Sequence, residues 1–305
     1  MASRRGYSGY ASSNNFNIFA LTLIFEDLKC VKVPPEFPLV SSLFLIPDIP
    51  GAAAAVSTLL EQNKQLIFVS NNCGKTVEQL QNKFQKLLNI HNIPSKNIIT
   101  SAVSTAIYLK NRMNVETEKV YMIAQPAFAT TLKEFGIESF GLGSPKNRAM
   151  TDWAHFVPDK SVKYVIASYD PDFCYNKITE AYIYITENNA EFISSDVDQH
   201  FSLGSRKVPG SLSIQAAISA AVAKQPIITG KPDPFMLSLI QEEHGKFDLE
   251  RTIMIGDTYG TDVMFGKNCG IGTAVVLTGN SKEGDVDGWK DRPDFVLKSI
   301  EGVLD

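Results

Sequence analysis

The sequence has few cysteines, no long apolar run and no excess of positive charge, and each absence excludes a class of protein. Its four cysteines are scattered with no C-x-x-C pair, which favours reduced thiols in a cytoplasmic protein over a disulfide framework. The net charge is −4 and the pI is near 5.7, so we expect no general nucleic-acid-binding surface. The apolar stretch 16–25 is too short to span a bilayer, so we predict no membrane segment.

The first fifteen residues, MASRRGYSGYASSNN, are polar and rich in glycine and serine. They lack the apolar core of a signal peptide, and we interpret residues 1–15 as a disordered leader. The whole chain is 44% hydrophobic and 20% charged, as in a folded globular protein. Its 305 residues are enough for two domains, or for one domain with a large insertion.

Apolar runs with the pattern of strands alternate with helical patterns through most of the chain, which predicts βαβ units around a parallel sheet. The pattern restarts near Lys119, and the segment 204–210, with two glycines, a proline and basic residues, has the composition of a linker. We therefore predict an α/β fold with a core at 16–110 and 208–305 and a smaller α/β domain at 111–207.

Three predicted strand ends carry polar side chains in an order that suits phosphate chemistry. Ser70 and Asn71 follow the first, Lys231 the second, and Asp257 and Asp262 the third. In open α/β sheets the ligand site lies outside the carboxyl ends of the strands. A serine hydroxyl and backbone N–H groups can hold phosphate oxygens, and a lysine ammonium offsets negative charge. Two carboxylates attract Mg²⁺, so the order predicts a magnesium-dependent phosphate site.

Longer motifs around these residues resemble one family. They are IPGA (49–52), FVSNNCGKT (68–76), ITSA (99–102), YDPDFCYNKITEA (169–181), TGKPDP (229–234) and MIGDTYGTDVMFGKNCGIGTAVVLTG (254–279). The ordered set resembles the haloacid dehalogenase-like phosphatases, in the branch of 4-nitrophenylphosphatase, phosphoglycolate phosphatase and pyridoxal phosphatase (chronophin). The resemblance implies a Rossmann-like parallel-sheet core with an inserted smaller α/β cap domain. It also implies Mg²⁺-dependent hydrolysis of a small phosphorylated metabolite.

The resemblance also assigns roles by position. Ser70 and Asn71 would contact phosphate, and Lys231 would steady both the nucleophile and the phosphate. Asp257 would bind Mg²⁺, and Asp262 would support the metal directly or through water. In such enzymes an aspartate attacks phosphorus, and a second aspartate two residues later protonates the leaving group. Caps in this branch often mediate self-association, so the partner that the resemblance implies is a homodimer formed through the cap.

The Asp-x-Asp nucleophile motif that should follow the first strand is missing. A gap-free count back from the IPGA motif places Phe37 and Leu39 at its two carboxylates. Matching the apolar strand instead places Glu26 and Leu28 there. The third placement, at Asp48, keeps one aspartate but leaves too little chain before the next helix. We favour Glu26 as the degenerate nucleophile position, because the apolar run before it has the pattern of the required strand.

The missing motif bears directly on turnover. A glutamate displaces the attacking oxygen by about an ångström or more, which can cost roughly 100-fold in rate. Loss of the acid removes a further factor of about 10²–10⁴. We therefore interpret the chain as a pseudophosphatase with impaired or absent catalysis. Two alternatives remain open: an active phosphatase that uses Glu26 or Asp48 in an altered geometry, and a non-catalytic dimeric scaffold or phospho-ligand binder.

Other polar residues are interpreted as structural. Asp196 and Asp198 have the pattern of a solvated turn rather than of substrate contacts. His155 and His200 lack a metal-ligand partner at a usable spacing. Cys73 follows the phosphate motif, but nothing near it in the sequence marks it as a nucleophile.

Overall fold

Strands and helices alternate along the computed structural model, which describes residues 17–21, 51–62, 64–88, 93–144, 148–203, 206–246 and 248–303. In chain order the described strands are β1 (Asn17–Leu21), β2 (Leu66–Ser70), β3 (Ile98–Thr100), β4 (Lys119–Ile123), β5 (Ser139–Phe140), β6 (Val162–Ala167), β7 (Glu191–Ser194), β8 (His200–Leu203), β9 (Arg206–Pro209), β10 (Ile227–Ile228), β11 (Thr252–Gly256), β12 (Gly272–Val276) and β13 (Phe295–Leu297). The described α-helices are α1 (Ala52–Glu61), α2 (Val77–Leu88), α3 (Ser101–Ile107), α4 (Pro126–Glu134), α5 (Tyr175–Glu187), α6 (Ser211–Val222), α7 (Phe235–His244), α8 (Met264–Cys269) and α9 (Glu283–Val286). Within these ranges no helix is long and apolar enough to cross a membrane.

The first sheet contains six parallel strands in the order β13-β12-β11-β1-β2-β3. Along β2, Leu66 and Phe68 pack into the core on one face, whereas Ile67 and Val69 pack into the core on the other. Successive side chains of a strand point to opposite faces, so a strand covered on both sides has a continuous apolar sequence. This arrangement confirms the α/β class and the Rossmann-like parallel core that were predicted.

The second sheet contains five parallel strands in the order β10-β7-β6-β4-β5. Helices α5 and α6 cover one face of it, where Tyr184, Ile214 and Ile218 join its apolar core. Strand β10 pairs with β7, so this sheet extends past the predicted domain limit at residue 207. The remaining domain limits stay predictions, and the leader at 1–15 lies outside the described residues.

The predicted linker at 204–210 is wrong where the structure describes it. Strand β9 pairs antiparallel with β8 through this segment, so its basic residues and proline belong to a hairpin. Gly210 then precedes α6, and a Cβ added there would lie 2.3 Å from the carbonyl oxygen of Asp198. The glycine is therefore required by a close approach of two backbone segments rather than by the flexibility of a linker.

Candidate functional site

Asp257 follows β11 directly, and its side chain is fully buried. Its Oδ2 accepts the backbone N–H of Asn280 at 2.7 Å, and its Oδ1 accepts the hydroxyl of Thr258 at 3.0 Å. Burial, together with the charge of Asp262, raises the pKa of Asp257 to about 6. Each oxygen keeps lone-pair capacity, and a cation would favour the charged form, so this carboxylate is suited to bind a metal ion.

Asp262 is held by three hydrogen-bond donors in the wide helical turn before α8. Its Oδ2 accepts the backbone N–H groups of Asp257 and Thr258, both at 3.0 Å, and its Oδ1 accepts the ammonium of Lys231 at 2.7 Å. A Cβ at Gly256 would lie 2.1 Å from the Cβ of Asp262, so only glycine lets the turn close this far. With three donors on its oxygens, Asp262 is better suited to orient its neighbours than to coordinate a metal directly.

Lys231 brings a positive charge into the same buried region. The Lys231 and Asp262 side chains are each only 1% exposed, and the lysine Nζ also lies 3.4 Å from the carbonyl oxygen of Val69. Lys231 comes three residues after β10, so the second sheet sets its position beside the strand ends of the first. A desolvated ammonium at this edge is placed to interact with an anion.

Ser70 and Asn71, at the end of β2, complete what we call the strand-end site, together with Lys231, Asp257 and Asp262. The Ser70 hydroxyl accepts the backbone N–H of Asn72 at 3.1 Å. The Asn71 side chain accepts the Lys231 N–H at 2.9 Å, donates to the Lys231 carbonyl oxygen at 3.1 Å and donates to Asp198 at 3.3 Å. Because this side-chain amide already binds within the protein, a phosphate contact from Asn71 would come from its backbone.

The two acidic residues interpreted as a solvated turn fold against the strand-end site instead. Asp196 is 2% exposed and accepts hydrogen bonds from the hydroxyls of Ser195, at 2.8 Å, and Ser211. Asp198 is partly buried beside Asn71. Burial and the charge of Asp196 raise the pKa of Asp198 to about 8. The prediction of a solvated turn was wrong, because a short polar sequence does not reveal which distant loop covers it.

The surroundings of Cys73 fit a structural role rather than that of a nucleophile. Its Sγ lies 2.7 Å from the Ser168 hydroxyl, and burial raises the pKa of the thiol to about 12, so the reactive thiolate is scarce at neutral pH. His155 is exposed and His200 is half-buried in β8. Among the described residues, no group of three or more histidine, cysteine or acidic side chains is arranged to hold a metal.

The residues considered for the missing motif, Glu26, Leu28, Phe37, Leu39 and Asp48, all lie outside the described residues. Strand β1 is described as far as Leu21, whose partner on β11 is Ile255, two residues before Asp257. The carboxyl end of β1 therefore lies between those of β11 and β2, at the same edge as the strand-end site. This is the edge at which the resemblance places the Asp-x-Asp motif.

Sequence reasoning missed the turn that holds Asp257 from the other side. The Asn280 side chain donates to the Thr258 hydroxyl at 3.0 Å, in addition to its backbone contact with Asp257. A Cβ at Gly279 would lie 1.8 Å from the Asp257 Oδ2. The signal was available in the turn residues Thr278-Gly279-Asn280 that follow the apolar run of β12.

Comparisons with known proteins match the two parts of the chain that contain the residues of the strand-end site. Residues 47–138 match the family described as haloacid dehalogenase-like hydrolase, and residues 228–303 match one described as HAD-hydrolase-like. Glycerol-3-phosphate phosphatase of Homo sapiens is 31% identical over 84% of this chain and 84% of its own length. The 4-nitrophenylphosphatase of Schizosaccharomyces pombe is 32% identical over 83% and 86%. The solved 4-nitrophenylphosphatase of Thermotoga maritima is 26% identical with a TM-score of 0.70, over 84% of this chain and 89% of its own.

Proposed function

The chain belongs to the haloacid dehalogenase-like hydrolases, and we propose that it binds a small phosphate monoester with Mg²⁺ at the strand-end site but has impaired or absent turnover. The observation that carries the proposal is the buried contact of Lys231 with Asp262, at 2.7 Å, next to Asp257. One ammonium among carboxylates, with Ser70 and Asn71 beside it, is a suitable environment for a phosphate and its cation. The names of the similar proteins, glycerol-3-phosphate phosphatase and 4-nitrophenylphosphatase, support a phosphate monoester as the ligand class.

The described residues supply part of a Mg²⁺ site. Asp257 has a suitable carboxylate, and Asp262 would support it by accepting the backbone N–H of Asp257. Bound there, Mg²⁺ would neutralise negative charge on the phosphate. Lys231 would offset further charge, and the backbone at Ser70 and Asn71 would donate to phosphate oxygens.

The sequence before residue 51 is the reason to expect little turnover. Its acidic residues are Glu26, Asp27, Glu36 and Asp48, and no two of them form an Asp-x-Asp pair. With Glu26 at the nucleophile position and no acid two residues later, the combined loss of rate is roughly 10⁴–10⁶-fold. Binding needs only the residues that remain, so binding and turnover are separable in this chain.

The test measures both properties on purified protein. We expect hydrolysis of 4-nitrophenyl phosphate, phosphoglycolate, pyridoxal phosphate and glycerol 3-phosphate close to the uncatalysed background. In calorimetric titrations we expect inorganic phosphate to bind only with Mg²⁺, and at least tenfold more weakly to Lys231→Ala or Asp257→Asn. Lys224→Ala is the matched control, because this exposed lysine pairs only with Glu191 at the described surface and should leave binding unchanged.

Two results would overturn the proposal in different ways. Lysine-dependent turnover at ordinary enzyme rates would make the protein an active phosphatase, and Glu26→Gln and Asp48→Asn would then identify its nucleophile. Failure of phosphate and Mg²⁺ to bind or to raise the melting temperature would favour the scaffold. In that case sedimentation analysis should find a stable dimer, the partner that the resemblance implies.

A further inference from the structure

The segment 195–198 connects the second sheet to the strand-end site. It leaves β7 and packs against Gly230, where an added Cβ would lie 2.1 Å from the Ser195 carbonyl oxygen and 2.8 Å from the Asn71 Oδ1. No side chain fits at Gly230 between the Ser195 backbone and the Asn71 side chain. Asn71 and the residue before Lys231 are therefore in direct contact with a segment that carries no residue of the strand-end site.

This segment is itself fixed by hydrogen bonds to the start of α6. Asp196 accepts the hydroxyls of Ser195 and Ser211, and also the backbone N–H of Asp198 at 3.3 Å. The Asp198 carbonyl oxygen accepts the backbone N–H of Leu212 at 3.0 Å. The backbone of Asp198 is thus held on both sides, and its side chain extends to Asn71 from a rigid support.

We propose that Asp198 is a positioning residue, which accepts the Nδ2–H of Asn71 and so selects the orientation of that amide. In this orientation Oδ1 faces the N–H of Lys231, while Nδ2 faces both the Lys231 carbonyl oxygen and Asp198. The flipped amide would set its oxygen against two other oxygens and its NH₂ group against an N–H, which is unfavourable. By fixing this amide, Asp198 helps to hold the backbone of Lys231 against the Asn71 side chain.

The consequence for ligand binding rests on the proposed function, in which Lys231 and the backbone at Asn71 contact phosphate. Removal of the Asp198 acceptor leaves one Nδ2 hydrogen of Asn71 without its partner beside a buried backbone. A buried donor without a partner is unfavourable, and the amide keeps only its two bonds to the Lys231 backbone to fix its orientation. Phosphate affinity should then fall although neither Lys231 nor Asn71 has been changed.

The test compares two substitutions at one position. With inorganic phosphate and Mg²⁺, we expect Asp198→Ala to weaken binding about tenfold, the loss expected of one partly buried hydrogen bond. Asp198→Asn should stay within about twofold of the wild type, because its side-chain oxygen still accepts from Asn71. Asp152→Ala is the control, since Asp152 is exposed and its side chain accepts only the N–H of Ala149 within the described residues. Equal weakening by the alanine and asparagine variants would overturn the positioning role.

A second measurement needs no ligand and so separates this inference from the proposed function. Hydrogen exchange followed by mass spectrometry should show faster exchange in the peptide containing the Lys231 amide for Asp198→Ala, but not for Asp198→Asn or Asp152→Ala. If the wild type binds no phosphate and this difference persists, the proposed function fails and the positioning role stands. Unchanged exchange at Lys231 in a folded Asp198→Ala protein would refute the inference by itself.

Discussion

At the scale of single residues, the charged groups of the strand-end site are one buried ammonium and two buried carboxylates. Lys231 contacts Asp262 directly, and its charge acts against the burial and repulsion that raise the pKa of Asp257. Burying such charges is costly, and a buried ion pair is not by itself a stabilising feature. We infer that these charges are buried because they bind a ligand. Each charge then depends on the others for its stability inside the protein.

This coupling gives a prediction for stability. Lys231→Met should lower the free energy of unfolding by about 3–5 kcal/mol, because it leaves the Asp262 carboxylate buried without its cation. The double variant Lys231→Met/Asp262→Asn should lose less than the sum of the two single changes, by about 1–3 kcal/mol. Urea unfolding followed by circular dichroism measures all four proteins.

The control for this cycle is an exposed pair. Arg112 and Glu242 lie 2.6 Å apart with side chains 50% and 49% exposed. Arg112→Met should therefore cost less than about 1 kcal/mol. If the Lys231 and Asp262 changes proved additive, the two charges would be independent, and the account given for the strand-end site would be incorrect.

At the scale of elements, the turn after β12 packs against one side of Asp257. Gly279 and Asn280 lie against the carboxylate, and Thr258 joins them through its hydroxyl. A substitution at Gly279 tests this turn without removing a charged group. Gly279→Ala places a methyl group where the Asp257 oxygen lies, 1.8 Å from the new Cβ, so the turn must move.

We expect Gly279→Ala to destabilise the protein by about 1–3 kcal/mol, as overpacking does, and to weaken Mg²⁺-dependent phosphate binding. Gly284→Ala is a close control: it lies in α9, where an added Cβ meets nothing within 4 Å. That change should be neutral or stabilising by up to about 1 kcal/mol. The measurements are thermal melts and phosphate titrations of both variants. Equal melting temperatures and equal phosphate affinities would mean that the turn does not constrain Asp257.

Elements with a strong local pattern were predictable from the sequence, whereas the pairing between strands was not. Residues 76–88 repeat apolar positions with helical spacing, which predicts a helix there. Helix α2 begins one residue later, at Val77. The apolar run at 227–229 predicts a strand, and β10 begins there, but the sequence does not show that its partner is β7, some thirty residues earlier. The β8–β9 hairpin was not predicted either, because the segment that contains β9 has a composition typical of linkers.

At the scale of the whole molecule, the two sheets meet at the strand-end site. Lys231 is placed by β10 of the second sheet, and Asp257 by β11 of the first. The sequence could predict both residues, because polar groups after parallel strands share one edge. It could not predict the contact of Asn71 with Asp198, which are 127 positions apart and neither of which follows a repeating pattern.

Asp198 makes the stability of the whole chain sensitive to pH. Burial, followed by the charge of Asp196, raises its pKa from an ordinary value of 3.8 to about 8, although Lys231 acts in the opposite direction. Between these values the folded protein keeps a proton that the unfolded chain releases. The folded state therefore loses stability as pH rises through this window.

The difference between wild type and Asp198→Asn isolates this effect, because the asparagine does not titrate while all other groups remain. We expect the free energy of unfolding of the wild type to fall relative to that of the variant from pH 5 to pH 9, with urea titrations in metal-free buffer as the measurement. A wild type that gained stability relative to Asp198→Asn as pH rose would show that Lys231 and Asn71 outweigh burial. The Asp198 carboxylate would then be charged in the folded protein, and its bond to Asn71 would be an ionic hydrogen bond rather than a neutral one.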